Sequence, residues 1–194
     1  GIAPIRKTHS GMVPVSGDGS KKWEGYLPII EKPNLFNPEI GYISTANQNV
    51  TPGDYNKWEA IGFDWADPYR GNRINRVLES KEKFNLNEML ALQVDYYSIP
   101  SEQIINLSSG LIPNNNEYFS MLEKWDKKLS KSSIEAGIYI EWQNQLFLEL
   151  NKKFIPEKVD KYIDMQLFKV IEKISEMSIN EKKELLNKTF NSSV

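Results

Sequence analysis

The longest regular pattern in the chain is an apolar residue at every fourth position of its last third. The pattern runs through Ile134, Ile138, Trp142, Leu146, Leu150 and Phe154. A spacing of four residues keeps these side chains on one slowly drifting face of an α-helix. It therefore predicts a helix over 134–154. Pro156 is expected to end this helix because proline has no N–H to donate.

Further stripes on either side predict more helices. A second stripe predicts another amphipathic helix from its apolar residues, which are Val159, Ile163, Leu167, Val170, Ile171 and Ile174. Asn180 is a candidate N-cap for a short last helix, and Asn85 is one for an earlier helix that reaches Tyr97. We interpret these apolar faces as packing on a shared core rather than binding a lipid or a cofactor.

Glycine and proline set the first part of the chain apart from the rest. Ten of the 11 Gly and nine of the 10 Pro lie before residue 114. Both residues interrupt regular elements, so we expect short strands joined by turns, with one strand at 42–46. The predicted fold class is α+β, with strands and turns in roughly the first 70 residues and mainly α-helix afterwards. The predicted division is a strand- and turn-rich segment over 1–75 and a helical region over 76–194.

Composition and charge exclude several classes of function. The chain has 24 Lys+Arg against 26 Asp+Glu, and this balance argues against a nucleic-acid partner, whose phosphates require clustered cations. It has no cysteine, which excludes disulfides, thiolate metal sites and Cys nucleophiles. His9 is the single histidine and no G-x-S-x-G elbow occurs, so a Ser-His-Asp triad is not expected. The sequence contains no apolar run of about 18 residues, so no membrane span is predicted.

Four short motifs follow one another in the first part of the chain. They are P-V-S-G (14–17), W-E-G-Y-L-P (23–28), N-P-x-x-G-Y-I-x-x-x-N (37–47) and D-P-Y-R-x-x-R-I (67–74). In this order and spacing they resemble the β subunit of the penicillin amidase (penicillin acylase) family of N-terminal nucleophile hydrolases. Two later motifs, Q-x-D-x-x-S at 93–98 and L-x-x-W-D at 122–126, are similar to the same subunit but less specific.

The resemblance implies an internal segment of an amidohydrolase, that is, a partial piece of an αββα sandwich with its helical knob. Members of the family cleave themselves into α and β chains, and the new N-terminal Ser attacks the amide with its own α-amine as base. This chain begins with Gly1, so we expect the nucleophile to lie in polypeptide outside it and the chain alone to be inactive. The implied partners are the rest of the β subunit, the α subunit of the same precursor and a small acyl amide, either a β-lactam N-acyl group or an acyl-homoserine lactone.

Two residues carry the implied catalytic roles. Asn47 matches the family asparagine whose side-chain amide, together with a backbone N–H, donates to the tetrahedral oxyanion. The alternative for Asn47 is a strand-end or turn residue that satisfies local backbone. Arg70 matches an arginine that organises the nucleophile region, and its alternative is a structural ion pair with Asp67 or another acid.

The remaining expectations concern a metal, the tryptophans and the cellular location. The chemistry is expected to need no cofactor, but Glu59 stands where some members of the family have an acidic ligand of structural calcium. Calcium needs six or more ligands, and most of them would lie outside this chain. Trp23, Trp58 and Trp65 are interpreted as core residues rather than as walls of an acyl pocket. A periplasmic or secreted location follows from family analogy alone.

A second function remains open beside the enzyme. The chain could serve as a non-catalytic helical scaffold or interaction module that retains the family motifs for packing.

Overall fold

The structure is a computed structural model that describes residues 2–62, 64–113 and 115–194, apart from the side chain of Glu59. The first part contains two short strands and a 3₁₀ turn at Ile29–Glu31, and the second part is helical. In chain order the other elements are β1 (Ala3–Pro4), β2 (Tyr26–Leu27), α1 (Trp58–Ile61), α2 (Tyr69–Leu78), α3 (Leu86–Gln93), α4 (Ile99–Ser108), α5 (Glu117–Lys124), α6 (Ile134–Phe154), α7 (Leu167–Glu176) and α8 (Ile179–Asn191). This architecture confirms the predicted fold class.

The chain forms two compact units that divide after Gly71. The boundary predicted from the sequence, between residues 75 and 76, falls a few residues later and inside α2. No described helix combines the length and the hydrophobicity that a bilayer crossing requires.

The unit that ends at Gly71 has little regular structure. Its strands β1 and β2 pair antiparallel, with Ala3 opposite Leu27, and Leu27 is buried. Trp23 contacts Tyr26 edge-on at 6.2 Å between ring centroids and remains 55% exposed. Trp23 is therefore not buried within this chain, whereas Trp58 and Trp65 are half-buried, and the choice between core and acyl-pocket wall stays a prediction for all three.

The strand predicted at 42–46 is not formed in the part of the chain that the structure describes. A strand uses its backbone N–H and C=O groups in a ladder with a neighbouring strand. Both groups of Ala46 are instead bonded by side chains, the N–H by Gln48 and the C=O by Arg70. The β-branched and aromatic residues of this segment favour extended backbone, but these local bonds turn the chain at its end.

The second unit, Asn72–Val194, is built around α6. Helices α5, α7 and α8 pack against α6, and α4 packs against α7. The middle of the predicted stripe, Trp142, Leu146 and Leu150, lies on the buried face of α6, whereas Ile134 and Phe154 at its two ends are exposed. Trp142 lies edge-on to Phe190 and Phe119 at centroid distances of 4.9 and 6.1 Å. The indole of Trp142 is fully buried, and its Nε1 donates to Thr189 Oγ1 at 3.0 Å. This bond satisfies a polar group that would otherwise be costly to bury.

Helix α3 begins where the sequence predicts but ends earlier. Asn85 caps it, and Asn85 and Glu88 form a reciprocal capping box. The helix ends at Gln93 rather than at Tyr97. Asp95 Oδ1 accepts from the Tyr97 N–H at 2.9 Å, and this side-chain bond replaces the helical one.

The last two helices begin at other residues than predicted. Ser178 caps α8 and forms a capping box with Glu181, so the prediction of Asn180 as the cap is wrong by two residues. Helix α7 begins at Leu167 and not at Val159. The carboxamide of Asn151 on α6 donates to Asp164 at 2.8 Å and accepts from the Met165 N–H at 3.0 Å. These two bonds hold the connection between α6 and α7, where the apolar stripe alone predicts a helix.

Two arginines of α2 enclose the ring of Tyr97 within the second unit. The guanidinium carbon of Arg73 lies 4.4 Å from the ring centroid and that of Arg76 lies 5.5 Å from it. Arg73 pairs with Asp95 at 2.6 Å, and Arg76 makes a two-pronged pair with Glu102 at 2.6 and 3.0 Å. These hydrogen bonds from Arg76 hold the pKa of Glu102 below its ordinary value.

Replacing Thr189 tests the buried indole bond. We expect Thr189→Val to leave the Trp142 N–H buried without an acceptor and to lower the free energy of unfolding by about 1–3 kcal/mol. Thr189→Ser keeps the hydroxyl and loses only a methyl group, at about 0.8 kcal/mol. Urea unfolding of both variants measures the difference, and a valine variant as stable as the serine variant would contradict the assignment.

The Arg76–Glu102 ion pair should make the free energy of unfolding depend on pH in the acidic range. A carboxylate whose folded pKa is lowered stabilises the fold fully above its ordinary pKa and loses that contribution as pH falls through the lowered value. The stability difference between the native protein and Glu102→Gln should be constant above about pH 5 and shrink below it. Thermal unfolding across this range measures it, with Glu82→Gln as an exposed control. A difference that does not change with pH would contradict the pair.

Candidate functional site

The segment 46–48 makes a tight turn around Asn47. The φ of Asn47 is 67°, in the left-handed region that asparagine tolerates better than most side chains. Its backbone carbonyl accepts from the Ala66 N–H at 3.0 Å, which ties the turn to the segment before α2. The side chain of Asn47 is exposed.

Arg70 holds this turn from the start of α2. Its Nη2 donates to the Ala46 carbonyl at 2.8 Å and to Asn47 Oδ1 at 3.2 Å. The structure thus brings together the two residues that the sequence analysis named as catalytic candidates. Among the described residues, the groups to which Arg70 donates are a carbonyl and a carboxamide.

The contact with Arg70 decides which way the Asn47 carboxamide faces. A guanidinium has only donors, so the oxygen of the carboxamide must face it and the amide nitrogen must face away. Among the described residues no acceptor lies within hydrogen-bond distance of Asn47 Nδ2. The carboxamide is thus bonded through its oxygen, in a residue that is exposed as a whole.

Gln48 supports the turn from the inside. Its side chain is buried, and its Oε1 accepts from the Ala46 N–H at 2.6 Å. The sequence analysis missed this residue because a glutamine beside a candidate asparagine gives no local signal of burial. The signal that could have revealed it is Gly71, a poor helix former in the first turn of α2.

Tyr69 precedes Arg70 in α2 and keeps its phenolic proton. Burial, with a smaller contribution from Asp67, raises the pKa of Tyr69 to about 12. A phenol with this pKa is neutral at any ordinary working pH.

The predicted calcium ligand is not described. The backbone of Glu59 belongs to α1, but its side chain lies outside the described residues. The described side chains include no group of three or more His, Asp or Glu residues able to hold a metal ion. Calcium at Glu59 stays a prediction, and no step of the chemistry below depends on it.

Comparison with known proteins identifies the family of the chain. The model of the penicillin amidase family matches residues 1–193. The chain belongs to the penicillin amidase family. This membership confirms the resemblance seen in the four motifs.

Relatives and one solved structure agree with this family. The chain is 29% identical over 173 residues to an acyl-homoserine lactone acylase of Pseudomonas fluorescens, which covers 80% of this chain and 20% of that protein. It is 31% identical over 140 residues to penicillin G acylase of Escherichia coli, covering 65% of this chain and 16% of the relative. The structure resembles a thermostable penicillin G acylase from Alcaligenes faecalis with a TM-score of 0.73 at 16% identity, over 99% of this chain and 42% of that one. The chain thus spans less than half the length of each of these proteins.

Removing the Arg70 side chain should loosen the turn without unfolding the protein. Arg70→Met loses both donors, and because the site is exposed we expect the free energy of unfolding to fall by less than about 1 kcal/mol. The Ala66 N–H, bonded to the Asn47 carbonyl, should exchange faster with deuterium. Exchange measured by mass spectrometry on peptides that cover 44–67 tests this, with Lys22→Met as a control at an exposed cation. Unchanged exchange in Arg70→Met would contradict the tether.

Proposed function

We propose that this chain is a segment of an amidohydrolase that cleaves the acyl amide of a small molecule, with Asn47 as an oxyanion-hole donor. The nucleophile in this proposal is an N-terminal Ser in polypeptide outside the chain. The observation that carries the proposal is the carboxamide of Asn47, whose oxygen accepts from Arg70 Nη2 and whose nitrogen donates no hydrogen bond among the described residues. Family membership over residues 1–193 supports the reaction class.

The geometry around Asn47 suits the charge that develops during amide hydrolysis. When a nucleophile adds to the amide carbon, the carbonyl oxygen becomes an oxyanion, and N–H groups already aimed at it stabilise the transition state. Asn47 Nδ2 would supply one such donor, and a backbone N–H would supply the other. Because Arg70 already orients the carboxamide, little reorganisation would be needed during the reaction.

The remaining steps use groups outside this chain. The serine hydroxyl gives its proton to the serine's own α-amine as it attacks, and the amine returns that proton to the leaving nitrogen. Water then hydrolyses the acyl-enzyme ester and releases the acid. The single histidine and the absence of cysteine in the sequence are compatible with this scheme, since neither residue type takes part.

The proposed partners are the rest of the β subunit and the α subunit of the same precursor. The first unit exposes large apolar side chains that a finished protein would cover, since Ile30 and Phe36 are each 88% exposed and Leu35 is 63% exposed. Exposed apolar side chains of this size are compatible with coverage by other polypeptide. The relatives, of which this chain covers 20% and 16%, are long enough to contain the further polypeptide that this proposal requires.

The proposed substrates follow the names of the relatives, which are an acyl-homoserine lactone acylase and a penicillin G acylase. Both names describe removal of an acyl group from a small molecule, so we assign this class of substrate to the whole protein. We also propose a periplasmic or secreted location, and a structural calcium ion with Glu59 as one ligand, on family analogy.

One observation favours the second candidate function, a scaffold that keeps the motif for packing. The left-handed φ of Asn47 alone would explain an asparagine at this position, because the turn requires it. The two roles differ in which part of the residue matters. Catalysis needs the amide N–H groups, whereas the turn needs only tolerance of a positive φ.

Substituting Asn47 by glycine and by aspartate separates these roles in the full-length protein. Asn47→Gly relieves backbone strain and removes the carboxamide, and Asn47→Asp keeps the shape but has no N–H. We expect both to lower kcat by about 10²–10³-fold, the usual cost of one oxyanion donor, while thermal stability is retained. Hydrolysis of a phenylacetyl amide and of an acyl-homoserine lactone provides the assay.

Asn37→Gly is the matched control because Asn37 also has a positive φ, of 43°, and is exposed. Its kcat should equal that of the native protein. Full activity in Asn47→Gly would favour the scaffold and contradict the oxyanion role.

A further inference from the structure

The carboxamide of Gln48 occupies the space that a side chain at position 71 would fill. Gln48 is only 8% exposed although it is polar. A Cβ atom built on Gly71 would lie 2.2 Å from Gln48 Nε2, 2.3 Å from Cδ and 2.7 Å from Oε1. Contacts this short cannot exist, so any side chain at position 71 would displace the carboxamide.

The buried carboxamide closes the turn in which Asn47 lies. Gln48 Oε1 accepts from the Ala46 N–H at 2.6 Å, so the residues on both sides of Asn47 are joined directly. Arg70 holds the Ala46 carbonyl and the Asn47 side chain from the outer side. The Ala66 N–H also donates to the Asn47 carbonyl. Hydrogen bonds therefore hold three backbone groups of the turn, which are the Ala46 N–H, the Ala46 carbonyl and the Asn47 carbonyl.

The glycine at position 71 has no other explanation in the described structure. Its φ lies outside the left-handed region, so its backbone does not require glycine. Within a helix, glycine is less favourable than alanine. Gly137 in α6 shows the contrast, since a Cβ at that position would meet nothing within 4 Å.

We propose that Gln48 is a positioning residue for the Asn47 carboxamide and that Gly71 provides the space in which Gln48 acts. The inference rests on the proposed role of Asn47 as oxyanion donor. It assigns to two further residues the task of fixing the turn before the substrate arrives. A small displacement of a preorganised group can cost a large part of the rate, so their effect should appear in kcat.

A double-mutant cycle in the full-length protein tests the pair. Its variants are Gly71→Ala, Gln48→Ala and the combination of both, with Gly137→Ala as the matched control. We expect each single change to lower kcat by roughly 10- to 100-fold while KM changes by less than about twofold. The combined variant should be no slower than Gln48→Ala, because no carboxamide is left to displace.

Two further readouts separate positioning from loss of structure. The Ala46 N–H should exchange faster with deuterium in Gly71→Ala and in Gln48→Ala, and at the native rate in Gly137→Ala. In the Gln48→Ala background, Gly71→Ala should raise the melting temperature, because alanine then improves α2 without a clash. Gly137→Ala should leave kcat unchanged.

The outcomes also separate this inference from the proposed function. Native kcat in Gly71→Ala, or losses that multiply in the combined variant, would overturn the inference. If Asn47→Gly lowers kcat while Gln48→Ala and Gly71→Ala do not, the oxyanion role stands and only the positioning role fails. If Asn47→Gly keeps native kcat, the proposed function fails and the inference fails with it.

Discussion

The two hydrogen bonds donated by Arg70 Nη2 are the interaction on which the candidate site depends. One bond fixes the backbone before Asn47 and the other fixes its side chain. Because a guanidinium offers only donors, the second bond also determines that the oxygen of the carboxamide, and not its nitrogen, faces Arg70. An asparagine without this partner would rotate freely in water, whereas the donor role proposed for Asn47 requires a fixed orientation. The same arginine therefore both holds the turn and orients the carboxamide.

The turn also shows how a short irregular segment becomes rigid without a sheet. Three different kinds of group supply its bonds: a cationic side chain, a neighbouring amide side chain and a backbone N–H. The amide side chain of Gln48 is buried, where a hydrogen bond is less easily replaced by water. The absent side chain at Gly71 makes this burial possible, at the cost of a weaker start to α2.

The sequence predicts best where one physical effect acts alone over many residues. Helix α6 could be predicted because its apolar stripe extends over 21 residues and nothing competes with it. The start of α7 could not, because Asn151 on another helix binds the preceding segment. The prediction of a strand at 42–46 was wrong for the same reason, because Arg70, distant in sequence, donates to the Ala46 carbonyl that a strand ladder would use.

The candidate site could likewise be predicted from the sequence only in part. Asn47 and Arg70 could be named from the motifs, but only as separate residues, since 23 positions separate them in the chain. Their contact depends on how the chain returns at α2. The fit of Gln48 against Gly71 is an atomic matter of volume that no periodicity or composition records.

The boundary after Gly71 has a consequence for how the protein can change. Ala46, Asn47, Gln48, Arg70 and Gly71 all belong to the same compact unit, so the bonds that orient the carboxamide close within a single folded body. The aromatic cluster around Trp142 lies in the other unit. Substitutions in the helical core could therefore change how stable and abundant the protein is while the bonds around Asn47, all of them outside that core, are inherited unaltered.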